Sequence, residues 1–371
     1  MKNLLKGNKV SLVACGLLLS SSFAFGADSI DSAFKEGKVS GSLTAYGITT
    51  DNKSNTPDSD AAFGTINLGY ETASYMGVSA KAGFEAGHAM ADGELENDAL
   101  MTEAYIKYAN DMFSLTAGRQ AIDLEWLGDY NEAVVAAITA IPDTTIVLGY
   151  TNQQAVADED EIGEFSEVTE DGAYVADIKY TGFEGVEFNP YAYSAPDVAN
   201  FYGLKTTFTA DMFGLVAHYA VSDEDTLGTP DNGSIGHVEL NTSIAGISAA
   251  VGYIKTDKDA GVGSMSAYGD NISPFDYGQS TYDADAKTLY GSLGYSIVGI
   301  DLGALYGETT YGTVDSKEKE LNLTAGYSIT ETLSTSLLFA DVNVDEIAET
   351  GKGTDGTVDQ QYVSLTVAYT F

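Results

Sequence analysis

The sequence predicts an all-β fold, a transmembrane antiparallel β-barrel of about 18 strands, and three observations carry this prediction. Apolar and polar residues alternate with a period of two along most of the chain, and the connections alternate between short and long. Aromatic residues also recur at the ends of the alternating segments. Short turns at one end and long loops at the other are typical of outer-membrane barrels. We therefore expect short periplasmic turns and long extracellular loops.

The alternation identifies the individual strands. Between residues 78 and 87 every even-numbered position is apolar, while the odd-numbered positions carry Ser, Lys, Gly or Glu. Because successive side chains of a strand point to opposite sides, such a segment has one apolar and one polar face. The same pattern predicts strands at residues 38–48, 62–72, 76–87, 100–108, 113–120, 133–141, 144–150, 173–181, 186–194, 202–210, 215–222, 236–244, 247–256, 286–297, 300–311, 318–329, 333–343 and 360–371.

Aromatic residues at the strand ends test the barrel independently. One set ends the even-numbered strands and a second set lies near the ends of odd-numbered strands, both on the apolar face. Two rings of aromatic side chains suit the two membrane interfaces, whereas a β-sandwich core would place them in mid-strand. The first predicted ring contains Tyr70, Tyr108, Tyr180, Tyr295, Tyr327 and Tyr369, and the second Phe84, Tyr150, Tyr219, Tyr253, Tyr306 and Phe339.

The beginning of the chain predicts export. Residues 1–26 contain three lysines, then an apolar run, then the pattern Ala24-Phe25-Gly26, which together predict a cleaved signal peptide. A lipoprotein box that ends at Cys15 is the alternative. Residues 27–37 are then a short periplasmic segment, and residues 38–371 form the barrel domain.

The last strand carries a predicted assembly signal. Tyr369 and Phe371 share its apolar face with three aliphatic residues, and Phe371 is the final residue. A terminal Phe with alternating apolar partners resembles the signal read by the machinery that assembles outer-membrane barrels. We therefore expect the barrel assembly machinery as a partner, and a closed barrel because an open sheet edge is not stable in lipid.

The charge balance and the single cysteine exclude several protein classes. The chain has 17 Lys and Arg against 55 Asp and Glu, a formal charge of −38, so it is not expected to bind nucleic acid phosphates. Removal of the signal peptide would take three lysines with it and change the charge to −41. One cysteine, Cys15, excludes a disulfide scaffold.

No catalytic motif is present, so we expect a protein that is not an enzyme and has no cofactor. The sequence lacks Gly-x-Ser-x-Gly, His-Glu-x-x-His, P-loop and Cys-x-x-Cys patterns. His88 lies near Asp92 and Glu94 in a predicted loop, which leaves a barrel hydrolase as an alternative.

Three short motifs carry a family resemblance. Residues 29–41 (SIDSAFKEGKVSG), 117–120 (AGRQ) and 282–287 (YDADAK) resemble segments of porin D-type (Opr family) outer-membrane porins, particularly the major porins of campylobacter-like bacteria. The resemblance implies an 18-stranded, trimeric diffusion porin. Porins of this type use a ladder of arginines to guide carboxylate-bearing substrates, but this chain has one Arg, and it has Ser-Leu-Thr at 42–44 where the resemblance implies a basic residue.

The third long connection is the predicted constriction of the channel, because porins commonly fold this loop inward. We expect Gly118 to allow a bulge that turns the next side chain into the pore, although simple alternation would place that residue on the lipid side. A lone cation facing several carboxylates would create a transverse field. The predicted constriction residues are Arg119, Asp123, Glu125, Trp126, Asp129 and Glu132.

Charged residues on the polar face of the strands are the predicted pore lining. His218 and His237 fall on this face of neighbouring strands, where two imidazoles could bind a metal or respond to pH. The predicted pore-lining residues are Lys81, Glu85, Glu103, Lys107, Asp177, Lys179, Lys205, His218, Glu239 and Asp301.

These features predict a water-filled, cation-preferring diffusion channel for ions and small hydrophilic solutes, surrounded by outer-membrane lipid and lipopolysaccharide, and the resemblance implies that the channel is a homotrimer. A surface adhesin or structural barrel is the alternative, although 18 strands leave a channel that a simple anchor does not need. The run Asp158, Glu159, Asp160 and Glu161 could hold loop-bound calcium or could simply be a solvated charged stretch without EF-hand spacing.

Overall fold

Eighteen long antiparallel strands form one continuous sheet whose first and last strands pair with each other. The fold is seen in a computed structural model, which describes residues 26–53, 57–225, 232–262, 268–269, 271–313, 315–345 and 359–371. The predicted barrel and its strand number are confirmed. The predicted signal peptide, apart from Gly26, lies outside the described residues and stays a prediction.

Each strand pairs with its neighbours in sequence. A two-residue strand, Ser166–Glu167, adds to the edge of the seventh strand and is not counted among the barrel strands. The barrel strands are β1 (Lys38–Asn52), β2 (Ser59–Glu71), β3 (Val78–Ala89), β4 (Ala99–Ala109), β5 (Phe113–Ala121), β6 (Tyr130–Ile138), β7 (Thr144–Ala155), β8 (Ala173–Phe183), β9 (Val186–Ala195), β10 (Ala199–Thr209), β11 (Phe213–Glu224), β12 (Asn232–Ile244), β13 (Ile247–Thr256), β14 (Lys287–Ile297), β15 (Ile300–Tyr311), β16 (Ser316–Ser328), β17 (Leu333–Asp345) and β18 (Gln360–Thr370).

The barrel closes by pairing β1 with β18. The register runs from Ser42 opposite Thr370 to Asn52 opposite Gln360. Beyond the last assigned strand residue, the backbone N–H of Phe371 donates to the carbonyl of Gly41, and the N–H of Gly41 donates to the carbonyl of Phe371, both at 3.0 Å. Phe371 therefore completes the seam, and the described part of the sheet closes on itself, as a barrel surrounded by lipid requires.

Deletion of Phe371 should lower the fraction of protein that assembles in the outer membrane. The deletion removes both hydrogen bonds to Gly41 and an aromatic ring that is 48% exposed on the outer wall. Assembly is measured by the gel mobility of unheated samples, since folded barrels migrate differently from heated ones. Phe371→Tyr keeps the backbone and the ring and should assemble normally. Normal assembly of the deletion variant would contradict the assembly-signal interpretation.

The two ends of the barrel differ in their connections. The turn end carries the first described residues, the C-terminus and eight short connections, of which residues 184–185, 245–246 and 298–299 are two-residue turns. The loop end carries the longer connections, including residues 156–172 and 257–286. The predicted strict alternation of short and long connections is wrong at two places, because the loop-end connections 196–198 and 312–315 have only three and four residues.

A short helix lies at the turn end, beside the connection between β2 and β3. Helix α1 (Ile30–Lys35) is capped at its N-terminus by Ser29, whose hydroxyl accepts the backbone N–H of Ser32 at 3.1 Å. The carbonyl of Ala33 accepts the N–H of Ala73 at 3.0 Å, which fastens the helix to the turn after β2. No helix in the described part of the chain is long and apolar enough to cross a membrane.

The outer wall of the barrel is apolar and aromatic. Leu204, Leu240 and Leu293 are between 45% and 62% exposed there, as expected for side chains that face lipid. Eight of the twelve predicted ring aromatics are at least 38% exposed on this wall, and the other four are half-buried. The eight exposed residues are Phe84, Tyr108, Tyr219, Tyr253, Tyr295, Tyr306, Tyr327 and Tyr369.

Candidate functional site

The inner wall of the barrel carries the polar residues. All ten predicted pore-lining residues lie on the face opposite the exposed apolar side chains. Several of them pair with one another or with neighbours: Lys81 Nζ lies 2.6 Å from Glu103 Oε2, and both side chains are less than 10% exposed. Asp177, which is fully buried, accepts a hydrogen bond from Asn189 Nδ2 at 2.8 Å. Part of the inner wall is therefore a structured polar surface.

The third long connection folds into the barrel as a hairpin. We call residues 122–129 the inner hairpin. Two backbone hydrogen bonds of 2.9 Å, from Ile122 to Asp129 and from Leu124 to Leu127, hold its two arms together. The apolar side chains of this hairpin, which an exposed loop would not need, are buried in the central apolar cluster of the molecule.

The tip of the inner hairpin reaches across to the strands on the other side. Trp126 is fully buried, and its indole Nε1 donates to the hydroxyl of Tyr191 on β9 at 2.7 Å. Glu125 lies beside Lys205 on β10, with Nζ at 2.8 and 3.0 Å from its two carboxylate oxygens. These contacts span from β5–β6 to β9–β10, so the inner hairpin narrows the lumen.

A hydrogen-bonded row of aromatic side chains continues from the hairpin along the wall. The hydroxyl of Tyr191 lies 2.7 Å from His218 Nε2, and His218 stands directly opposite His237 in the β11–β12 register. On β14, the hydroxyl of Tyr290 lies 2.9 Å from His237 Nε2 and donates to Glu239 at 2.7 Å. Each imidazole thus has a tyrosine partner. Within the described residues no group of three or more His, Cys, Asp or Glu side chains is placed to hold a metal ion.

The structure corrects the predicted positions of Arg119 and Glu132. The two residues stand opposite each other in the β5–β6 pair, with Arg119 Nε 3.4 Å from Glu132 Oε2. The next row on the same face contains Ile106 and Val134, which are 62% and 47% exposed on the outer wall. The guanidinium also packs 4.2 Å from the ring centre of Phe165. Both charges therefore lie outside the lumen, and the cation that faces the inner hairpin is Lys205.

A second segment inside the barrel was not predicted. We call the described residues 268–269 and 271–286, between β13 and β14, the inner loop. Asn271 Nδ2 donates to the carbonyls of Leu124 and Glu125 at 2.7 and 3.0 Å. The N–H of Gly128 donates to the carbonyl of Tyr268 at 2.9 Å. The inner hairpin and the inner loop therefore form one unit within the lumen.

Two carboxylates on β16 hold the inner loop against the wall. Glu320, fully buried, accepts the backbone N–H groups of Asp276 at 2.8 Å and Gly278 at 2.5 Å. Glu318 accepts the N–H of Ser280 at 3.1 Å and its hydroxyl at 3.2 Å. Backbone N–H groups that point at a carboxylate make strong, charge-assisted hydrogen bonds, so these two side chains fix the position of the loop.

The acidic run at residues 158–161 forms a turn at the loop end. The carboxylate of Asp158 accepts the backbone N–H groups of Asp160 at 3.2 Å and Glu161 at 2.9 Å. This is an Asx-type turn, in which the side chain satisfies its own backbone. Calcium binding by this run stays a prediction.

Comparisons with known proteins agree with the architecture. Residues 28–212 match the model of a family described as "Putative outer membrane protein". No curated protein matches the sequence significantly. Among solved structures, OpdO of Pseudomonas aeruginosa has a TM-score of 0.76 at 13% identity, covering 91% of this chain and 98% of its own.

Two further structures show the same likeness. OpdK of Pseudomonas aeruginosa has a TM-score of 0.76 at 16% identity, covering 91% of this chain and 99% of its own. OccAB4 of Acinetobacter baumannii has a TM-score of 0.72 at 15% identity, covering 91% of this chain and 98% of its own. At these identities the likeness shows the fold. The chain is therefore an outer-membrane protein whose 18-stranded barrel has the fold of OpdO, OpdK and OccAB4.

Proposed function

We propose that this protein is a porin, a water-filled diffusion channel for ions and small hydrophilic solutes. The observation that carries the proposal is the combination of a closed 18-stranded barrel with a charged inner wall and an inner hairpin that reaches across it. A barrel of this size is wide enough to hold an aqueous path beside such a loop. The role proposed for the charged wall and the loops is passage rather than catalysis.

We further propose that the channel prefers cations. Asp123 and Asp129 are exposed on the inner hairpin, whereas the charge of Glu125 is balanced by Lys205. The only arginine of the chain, Arg119, faces outward, so the lumen has no arginine to guide carboxylate-bearing solutes.

A homotrimer is proposed on the resemblance to porin D-type channels. Light scattering of the detergent-solubilised protein would test it by giving the number of chains per particle. The finer resemblance to the porins of campylobacter-like bacteria also stays a prediction that rests on three short motifs.

Neutralising Asp123, Glu125 and Asp129 together should shift the reversal potential under a KCl gradient toward anions. The triple Asp/Glu→Asn/Gln variant removes two exposed carboxylates and leaves Lys205 without its partner, so the charge at the hairpin becomes positive. Conductance and reversal potential in planar bilayers measure the effect, which should weaken as salt rises because the Debye length is only about 10 Å at 0.1 M.

Glu132→Gln is the matched control, because it removes a carboxylate only three residues from Asp129 but on the outer wall. It should leave the reversal potential unchanged. An anion-selective wild-type channel would contradict the proposed cation preference, and a protein that folds but conducts no ions would contradict the porin itself.

A further inference from the structure

A row of lysines crosses the outer wall at the loop end of β13–β16. Lys255 on β13 stands directly opposite Lys287 on β14. Lys287 stands opposite Thr310 on β15, which in turn is opposite Lys317 on β16. Residues opposite one another in register share a face of the sheet and neighbouring strands are about 4.8 Å apart, so the three ammonium groups lie within one short arc of the rim.

A large share of the lysines of the chain lies in this part of the rim. Thirteen lysines follow residue 26, and five of them lie in this sector. Four others, at positions 81, 107, 179 and 205, lie on the inner wall. The sector, which we call the lysine rim, consists of Lys255, Lys258, Lys287, Lys317 and Lys319.

The depth of the lysine rim follows from the residues below it. Tyr253 and Leu289, which are opposite each other and 44% and 61% exposed, occupy the next outward-facing row toward the middle of the barrel. Exposed aromatic residues at strand ends lie at the membrane interface. Two residues along a strand correspond to about 7 Å, so the lysine rim is at the level where lipid phosphates begin.

The charges of the lysine rim are only partly balanced by the protein. Asp285, Glu308 and Asp345 lie 2.9, 2.7 and 3.1 Å from Lys287, Lys317 and Lys319, respectively. Lys255 is exposed and forms no ion pair within 4.0 Å among the described residues. Its neighbour across the strand pair is another lysine, Lys287. Like charges directly opposite in a sheet are destabilising.

Asp285, in the connection before β14, has a pKa that is affected by several lysines of the lysine rim. Its pKa lies below its ordinary value because it accepts a hydrogen bond from Lys287, and Lys258 and Lys255 add to the shift. Lys255, Lys258 and Lys287 therefore all lie near this carboxylate, and Asp315 is a second carboxylate near Lys287. A further anion placed beside Lys255 would be favoured for the same reason.

We propose that the lysine rim binds the phosphate groups of lipopolysaccharide in the outer leaflet. Each lysine near a membrane surface strengthens the binding of anionic headgroups about fivefold, and two or three of them in one row suit the phosphorylated sugar backbone of this glycolipid. The row faces outward at the loop end, which is the extracellular side in barrels of this class, where the glycolipid forms the leaflet. Phosphate binding also relieves the repulsion between Lys255 and Lys287.

The experiment compares two double variants of the purified protein in detergent, titrated with defined lipids and followed by native mass spectrometry. Lys255→Gln/Lys287→Gln should weaken binding of purified lipopolysaccharide about tenfold or more, because two surface lysines are removed. The control variant Lys38→Gln/Lys53→Gln removes the same charge at the two ends of β1, where Lys38 is the first residue and Lys53 directly follows the last. This control should bind lipopolysaccharide as the wild type does. Both variants should keep wild-type gel mobility without heating.

Two further titrations use the wild-type protein with other lipids. Lipopolysaccharide stripped of its phosphates should bind the wild type as weakly as intact lipopolysaccharide binds the Lys255/Lys287 variant. Phosphatidylglycerol in large excess should fail to displace the glycolipid. Equal binding of the stripped glycolipid, an equal loss in the Lys38/Lys53 control, or displacement by phosphatidylglycerol would each overturn the proposal.

Discussion

Replacement of Leu323 by arginine should destabilise the assembled barrel. Leu323 lies in the middle of β16, opposite Ala304 and Phe339, and is 45% exposed on the outer wall. A charged side chain facing lipid near the membrane midplane costs about 2–4 kcal/mol. We expect a lower folded fraction in lipid vesicles and a lower urea midpoint of unfolding for the protein that does fold.

The adjacent substitution Thr324→Arg is the matched control. Thr324 lies one residue further along β16, on the inner wall, opposite Gly303 and Leu338. The same side chain should be tolerated there, because water and neighbouring polar groups can solvate it, and it should change the conductance instead. Equal folding defects in both variants would show that the two faces of β16 are assigned wrongly.

The barrel could be predicted from the sequence because lipid and lumen impose opposite chemistry on alternate residues of each strand. Every predicted strand overlaps one observed strand, and only the boundaries moved: β1 runs to Asn52, four residues beyond its predicted end. Its last residues carry Thr, Asp and Asn on both faces, so the period of two fades where the strand leaves the membrane.

Arg119 shows where sequence reasoning departed from its own rule. Simple alternation placed this residue on the outer wall, and the expected bulge at Gly118 was invoked to move it inside. Gly118 does have a φ of 123°, but the register on both sides is unbroken. A Cβ at Gly118 would come within 2.1 Å of the carbonyl oxygen of Ala104, so the glycine serves a close approach of the backbones.

The inner loop could not be predicted because nothing local specifies its position. It is held by residues far away in sequence, such as Asn271 to Leu124 and Asp276 to Glu320. Glu320 fits the polar face of β16 as an ordinary lumen residue, and only the structure shows that backbone groups cover it. The sequence did indicate that the loop is partly buried, because it contains apolar and aromatic residues, such as Ile272 and Phe275, that a solvated loop would not need. It did not indicate where the loop packs.

Replacement of Glu320 by glutamine should release the inner loop and raise the single-channel conductance. The carboxylate accepts the N–H groups of Asp276 and Gly278, and hydrogen bonds to a charged group contribute about 1.5–3 kcal/mol each. An amide keeps one acceptor oxygen and turns an NH₂ group toward the remaining donor. Planar bilayer recordings should show larger and noisier current steps.

Two companion variants separate anchoring from the loss of one negative charge. Glu320→Asp keeps the charge but shortens the side chain, so it should also raise the conductance if the anchor matters; an effect confined to Glu320→Gln would mean that charge alone is responsible. Glu308→Gln makes the same chemical change on β15, where the carboxylate pairs with Lys317 on the outer wall, and should leave the current unchanged.

Because the inner loop binds the inner hairpin through Asn271 and Tyr268, its release should also loosen the hairpin, and Trp126 should become accessible to a small aqueous quencher. Trp126 is the only tryptophan of the chain, so its fluorescence reports on the hairpin directly. Higher conductance with a still-protected Trp126 would place the motion in the inner loop alone.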